Sequence, residues 1–282
     1  DSKFSTTVTS HTFSNGQGVV TFESSFTSIP EEAFEEVANL QSIILSSNVT
    51  TIEYEAFYGC ENLASVVAPN VTTIGRGAFS FSENLSSVVA PNVTTIGEEA
   101  FYKCEKLSSV VATNVTTVGT RAFARCGSFS NHLTLNCPNL TTIGSSAFWN
   151  CYLTTFDFSN VTTIGDKAFY YAFIEDLTIT FDLSNVTTIG DYAFEHIGYG
   201  HITKLILPVP PVSWGNSIFR EVSIEEIYFN STAIPAEYVN AFDGAENKEY
   251  TSVFIPAGAR EEVVWFWETI FGFNGGNIHT VL

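Results

Sequence analysis

Asparagine, cysteine, histidine and aspartate are the residue types in this sequence that could carry chemistry, and their spacing decides which chemistry. The triplet Asn-Val-Thr, or its Asn-Leu-Thr variant, starts at Asn48, Asn70, Asn92, Asn114, Asn139, Asn160 and Asn185, the acceptor pattern for N-linked glycans. Five cysteines, Cys60, Cys104, Cys126, Cys137 and Cys151, are odd in number and lack C-x-x-C spacing, so they announce neither a disulfide framework nor a zinc site. Of the histidines His11, His132, His196, His201 and His279, only His196 and His201 are close in sequence. With no H-E-x-x-H pattern and no third clustered ligand, no metal is predicted there. No nucleophile elbow, P-loop or dinucleotide fingerprint is present, and neither a catalytic residue nor a cofactor is predicted.

The recurrence of these residues points to the elements that position them. The Phe of an Ala-Phe dipeptide recurs at Phe34, Phe57, Phe79, Phe101, Phe123, Phe148, Phe169, Phe194 and Phe242, and Ile218-Phe219 fills the one gap, with spacings of 21 to 25 residues. That period implies about ten turns. Each turn holds a short β-rich run such as SSVVAP or TTFDFS, then VTTIG, then a polar-to-aromatic stretch such as EEAFYKCEKL. Acidic residues open the third part (Glu31, Glu32, Glu98, Glu99, Asp166, Asp191), where they would favour the positive end of a short helix. One such unit cannot bury its apolar face, and stacked units can. The expected fold is an α/β repeat solenoid with a parallel sheet on one face and short helices or turns elsewhere, about 50 Å long for ten turns.

Within such a coil the seven asparagines occupy one structural corner seen repeatedly, where side-chain amides can bond to a neighbouring backbone or to one another. The Thr of each triplet belongs to an alternating strand, so the glycan pattern is incidental. Cys60, Cys104, Cys126 and Cys151 each fall three residues after an anchor Phe, a place taken by Ser82, Ala172 and Ile197 in other turns, which reads as a buried, inert thiol position. Cys137 maps to an inward strand position, and a Cys104 to Cys126 bridge is disfavoured because stacked side chains run parallel.

The unit LSSVVAPNVTTIGEEAFYKC (Leu85 to Cys104) closely resembles the BspA-like, or treponemal-type, leucine-rich repeat family, and recognisable copies run from about Thr27 to Ile255. The resemblance implies a leucine-rich-repeat right-handed superhelix in a secreted or cell-surface bacterial protein. Several family members are implicated in adhesion to host proteins. It carries no catalytic residues. The domain reading is residues 1–26 as an N-terminal cap with a hairpin turn near Gly16, 27–249 as repeats, and 250–282 as a last strand and C-terminal cap. Trp265, Phe266, Trp267, Phe271 and Phe273 would cover the open end.

Composition narrows the partners. The formal net charge is -19, which repels nucleic acid and anionic membrane surfaces. The strongly apolar stretches are about half the roughly 20 residues a membrane helix needs. The chain contains no methionine, so its numbering reads as starting after the native start, with any signal peptide removed. The expected location is extracellular or on the outer cell surface, with a lipid anchor compatible with the sequence.

Alternation in the first strand sends Val66 and Ala68 inward and Val67 outward. The outward position runs down the stack through Ile44, Val67, Val89, Val111, Asn136, Asp157, Asp182, Ile206, Tyr228 and Phe254, with the placement of Ile44 depending on an extra residue in its turn. This row from Val67 to Phe254 is the candidate partner-binding surface. The preferred partner is a protein, including a host extracellular protein, with glycan capture or a structural spacer as the rival readings. Valine also simply suits an exposed strand. Asp157 and Asp182 would lie on adjacent strands, but two carboxylates are too few for a calcium site.

Overall fold

The computed structural model describes residues 8–14, 17–22, 26–128, 130–173, 179–197, 201–209, 213–229, 231, 238–246, 251–256, 263, 265, 267–268 and 278–281. Its spine is a nine-stranded parallel sheet of two-residue strands, from Ser28–Ile29 through Thr51–Ile52, Thr73–Ile74, Thr95–Ile96, Thr117–Val118, Thr142–Ile143, Thr163–Ile164 and Thr188–Ile189 to Ser213–Trp214. Thr pairs with Thr and Ile with Ile or Val from Thr51–Ile52 to Thr188–Ile189. These strands are the VTTIG parts, and they make about nine turns. The tenth anchor, Phe242, still joins the stack, while residues 232–237 that precede it lie outside the described set.

The first strands form two further parallel sheets. One contains Ser42–Ile44, Ser65–Val67, Ser87–Val89, Ser109–Val111 and Thr134–Asn136; the other contains Ile179–Asp182, His201–Leu207, Ser223–Phe229, Ser252–Pro256 and Ile278–Val281. Between them, among the described residues, the first-strand ladder is continued by the bridges Leu133↔Leu153 and Leu153↔Phe173. An antiparallel hairpin, Val8–Ser14 with Gln17–Phe22, precedes the coil, and the turn residues 15 and 16 are outside the described set.

A column of ten phenylalanines fills the core. Successive anchor rings from Phe34 to Phe242 stack with centroids 5.0 to 5.6 Å apart, close to the spacing of neighbouring strands. From Phe57 onward each ring is essentially fully buried. Removing one to Ala would cost about 3–5 kcal/mol. At the C-terminal end the buried Trp267 meets Phe229 and Phe242 edge-on, each at 5.8 Å, whereas Trp265 is exposed. Phe266, Phe271 and Phe273 are outside the described residues.

The third parts are not the short helices that their acidic openings suggest. They are chained turns, and the four-residue helix Tyr238–Ala241 is the exception. The sixteen non-glycine residues with positive φ among the described residues all fall two before or two after an anchor Phe. Around Phe57, Ala56, Tyr58 and Cys60 donate back three residues, to Glu53, Glu55 and Phe57. Glu55, Phe57 and Gly59 instead donate forward to Arg76, Ala78 and Ser80 of the next turn at 2.7–2.9 Å. The physical reason is pitch. An α-helix with side chains is about 10–12 Å wide and cannot repeat every 5.0 to 5.6 Å beside this ring stack. Acidic side chains act between turns: Asp166 Oδ1 accepts the Asp191 amide at 3.0 Å, and Asp191 Oδ1 accepts the Asn216 amide at 2.6 Å.

The corner asparagines do what the sequence predicts. Asn70, Asn92, Asn139, Asn160 and Asn185 donate their side-chain amides to backbone carbonyls of the preceding turn at 2.7–2.9 Å, and Asn114 donates to Asn92 Oδ1 at 3.2 Å. The first Thr of each VTT adds a parallel ladder, as in Thr94 Oγ1 to the Thr72 carbonyl at 3.2 Å. All five cysteines are free thiols. Cys60, Cys104 and Cys126 donate to the carbonyls of Phe34, Phe79 and Phe101. Burial pushes the Cys60 and Cys137 thiols up to about 11, and raises Cys104, Cys126 and Cys151 well above the ordinary thiol range.

Candidate partner-binding face

The outward row forms in register. Ile44, Val67, Val89, Val111 and Asn136 are direct partners along the first sheet, which settles the placement of Ile44. Val66 and Val88 on the same strands, and Ala68 and Ala90 just after them, are buried. Ile44 is 78% exposed and Val89 40%, and Val67 and Val111 are half-buried. Beside this apolar row runs a hydroxyl row, Ser42, Ser65, Ser87, Ser109 and Thr134, in the same register.

In the second sheet the row continues through Asp182, Ile206, Tyr228 and Phe254, and then reaches His279. Tyr228 and Phe254 stack at 4.5 Å with ring planes 9° apart, and His279 lies 5.2 Å from Phe254. Lys204 Nζ sits 4.0 Å from the centre of the Tyr228 ring, and the Tyr228 hydroxyl donates to Glu226 at 3.2 Å. Both Phe254 faces and both Tyr228 faces are therefore covered by neighbours, leaving ring edges toward solvent. Lys204, Glu226 and His279 were not singled out from the sequence, although the two-residue alternation places Lys204 and Glu226 on this face.

Asp157 and Asp182 are not brought together as adjacent strand residues. Residues 154–158 form no strand, and Phe156 and Phe158 pack into the aromatic core against Phe148, Phe169, Phe181 and Phe194. Asp157 instead closes a local turn, accepting from the Ser159 hydroxyl at 2.6 Å and the Ser159 amide at 2.9 Å. Those bonds, the hydroxyl first, hold its carboxyl below the usual aspartate value. Asp182 accepts the Ser184 amide at 3.0 Å and lies on the first, edge strand of its sheet.

A concavity of about 10 Å³ beneath the strands, lined by Val110, Leu135 and Phe148 among others, falls far below a ligand pocket. Among the described residues one group of three ligand-type side chains converges: Glu195, His196 and Glu221, in the turn segments that follow the anchor Phe.

Residues 6–130 and 127–249 match the family model described as a BspA type leucine rich repeat region, in six copies. The chain belongs to this family. No curated protein sequence matches it. Among solved structures, a leucine-rich repeat protein from Bacteroides ovatus is 18% identical, with a TM-score of 0.48, over 99% of this chain and 76% of that one. The leucine rich repeat protein of T. pallidum is 22% identical, with a TM-score of 0.39, over 64% of this chain and 76% of that one. A leucine rich cell surface protein from Faecalibacterium prausnitzii is 18% identical, with a TM-score of 0.33, over 96% and 86%. BspA-type repeats are generally protein-interaction scaffolds of bacterial surface proteins and typically not enzymes. Among the described residues no helix is long and apolar enough to cross a membrane.

Proposed function

We propose that this is a non-enzymatic, secreted or surface-held protein that binds a protein partner, such as a host extracellular protein, through its strand-lined face. The observation that carries the reading is the in-register apolar row Ile44, Val67, Val89 and Val111, with Ile44 78% and Val89 40% exposed. Nothing in the core requires apolar side chains at these outward positions, and contiguous exposed apolar surface favours a contact. The flanking hydroxyl row supplies hydrogen-bonding groups at the rim. Tyr228 and Phe254 fit as anchors at the other end of the face, since aromatic residues dominate binding energy at interfaces.

Glycan capture is the weaker reading. Sugars stack on open aromatic faces, and those of Tyr228 and Phe254 are covered by Lys204, by one another and by His279. The test is binding of the purified chain to immobilised matrix proteins, mucins and polysaccharides at physiological salt, beside the double variant Val89→Arg and Val111→Arg. A protein ligand lost in the double variant supports the proposal. Retained binding in a correctly folded variant moves the site off this face, and a polysaccharide ligand in place of a protein favours nutrient capture.

A further inference from the structure

We propose that Glu195, His196 and Glu221 form a binding site for a divalent transition-metal ion of the zinc type, joining the turn segments of two adjacent coils. One nitrogen and two carboxylate oxygens from these residues all lie within 4.8 Å of one another. The repeat creates the convergence. His196 and Glu221 both sit two residues after an anchor Phe, with φ of 52° and 55°, so equivalent positions in neighbouring turns face each other, and His196 Nε2 lies 2.6 Å from Glu221 Oε2. Tyr171, at the same position one turn earlier, stacks on the His196 ring at 4.6 Å with planes 11° apart, which fixes the plane of the imidazole.

Glu195 supplies the second observation. Its side chain is only 10% exposed, and among the described residues no hydrogen bond reaches its carboxylate; the nearest cation is Arg220, with Nε 3.7 Å from Glu195 Oε1. A carboxylate this buried calls for a closely bound cation. Arg220 Nε is also 3.7 Å from Glu221 Oε1, so one half-exposed guanidinium serves both carboxylates at a distance too long for a hydrogen bond to either.

The donor set selects the ion. Imidazole with carboxylates suits zinc and its first-row neighbours, whereas calcium and magnesium prefer all-oxygen sites. Tetrahedral zinc at its usual ligand distances holds its donors about 3.3 Å apart. The His196 to Glu221 pair must open slightly and Glu195 must close, while a water takes the fourth position. Two carboxylates neutralise the ion, so Arg220 becomes a competing cation that must swing outward.

The test is equilibrium dialysis of the purified chain against Zn²⁺ in the micromolar range, with thermal unfolding followed alongside. One Zn²⁺ per chain and a melting temperature that rises with zinc are expected. His196→Asn keeps a residue that tolerates positive φ, and it and Glu221→Gln should each weaken binding at least tenfold. Arg220→Gln should tighten it several-fold, a gain that no loss of folding can imitate. His201→Ala, in the separate His201 to Glu225 pair, should change nothing. No zinc uptake by the unaltered chain, uptake equal in the His196→Asn variant, or displacement of zinc by a tenfold excess of Ca²⁺ would each overturn the proposal.

Discussion

Two residues in one turn, Gly144 and Ser146, should respond to substitution with opposite signs. Gly144 closes a VTTIG-type corner, where an added Cβ would lie 2.6 Å from the Thr120 nitrogen and 2.7 Å from the Gly119 carbonyl carbon. Ordinary contact begins near 3.4 Å, so Gly144→Ala must push the turns apart by roughly 0.8 Å, against backbone that cannot rotate away. That displacement stretches the Gly144 amide bond to the Val118 carbonyl, now 2.8 Å. Overpacking costs about 1–3 kcal/mol, a weakened hydrogen bond about 0.5–1 more, and the stiffer unfolded chain returns about 0.4–1. The expected net loss is about 2 kcal/mol. Ser146 has the contrary problem, holding φ at 56° while its amide donates to Asp166 across turns at 2.8 Å. Left-handed backbone costs an L-residue about 1–2 kcal/mol, and Ser146→Gly removes that strain while adding about 0.4–1 kcal/mol of unfolded-state entropy. A net gain of about 0.5–1 kcal/mol is expected. Urea titration followed by circular dichroism, comparing midpoints at unchanged slope, reads both. If Ser146→Gly lowered the midpoint, or Gly144→Ala left it unmoved, the account of how the turns close would be wrong.

Asn92 both donates to the Pro69 carbonyl and accepts from Asn114, so Asn92→Ala should lower the thermal midpoint more than Asn70→Ala, by an amount equivalent to about 0.5–1 kcal/mol for the extra exposed bond. The thiols should resist an aromatic disulfide reagent at pH 8 in the folded chain, because burial raises all five, and all five should react once urea unfolds it; rapid titration of Cys104 or Cys126 in the folded state would contradict the packing. Asp157 has a lowered folded value, so its contribution is complete above the ordinary aspartate value and is lost as pH falls through the folded one. Ser159→Ala should therefore reduce the acid-induced loss of stability at low pH, measured as the difference in thermal midpoint between pH 6 and pH 3.

The stack of turns was legible because one residue, the anchor Phe, keeps its place through turns of 21 to 25 residues. The asparagine ladder followed from the same alignment, as did the outward row, since alternation within SVV settles which valine faces solvent. Two features escaped. The acidic openings of the third parts satisfy a local helix rule, but the 5 Å pitch overrides it, and pitch is a property of neighbouring turns rather than of any one segment. The break at residues 154–158 escaped because TTFDFS alternates like its neighbours, and phenylalanines at the same inward positions, Phe181 and Phe229, do lie in strands. Glu195, His196 and Glu221 are separated by up to 26 positions, and only superposing the turns puts His196 beside Glu221.

Pitch also explains why this architecture separates stability from recognition. Among the described residues the coil is held by contacts that recur from turn to turn: Phe on Phe, Asn or Thr on the preceding carbonyl, and turn amides on the next turn. In the first sheet, from Ser42–Ile44 to Thr134–Asn136, none of these uses the outward side chains, whereas in the second sheet Lys204, Tyr228, Phe254 and His279 also pack on one another across turns. The outward positions of the first sheet can therefore vary from Val89 to Asn136 without disturbing the stack, because stability in such an array is a sum over neighbouring turns. The break at 154–158 divides the strand face into an apolar half and an aromatic, charged half, yet the nine-stranded sheet runs through it unbroken. The two halves are thus held in one fixed relation, and a partner that spans the break would meet an apolar row and an edge-on aromatic cluster at a spacing the spine determines.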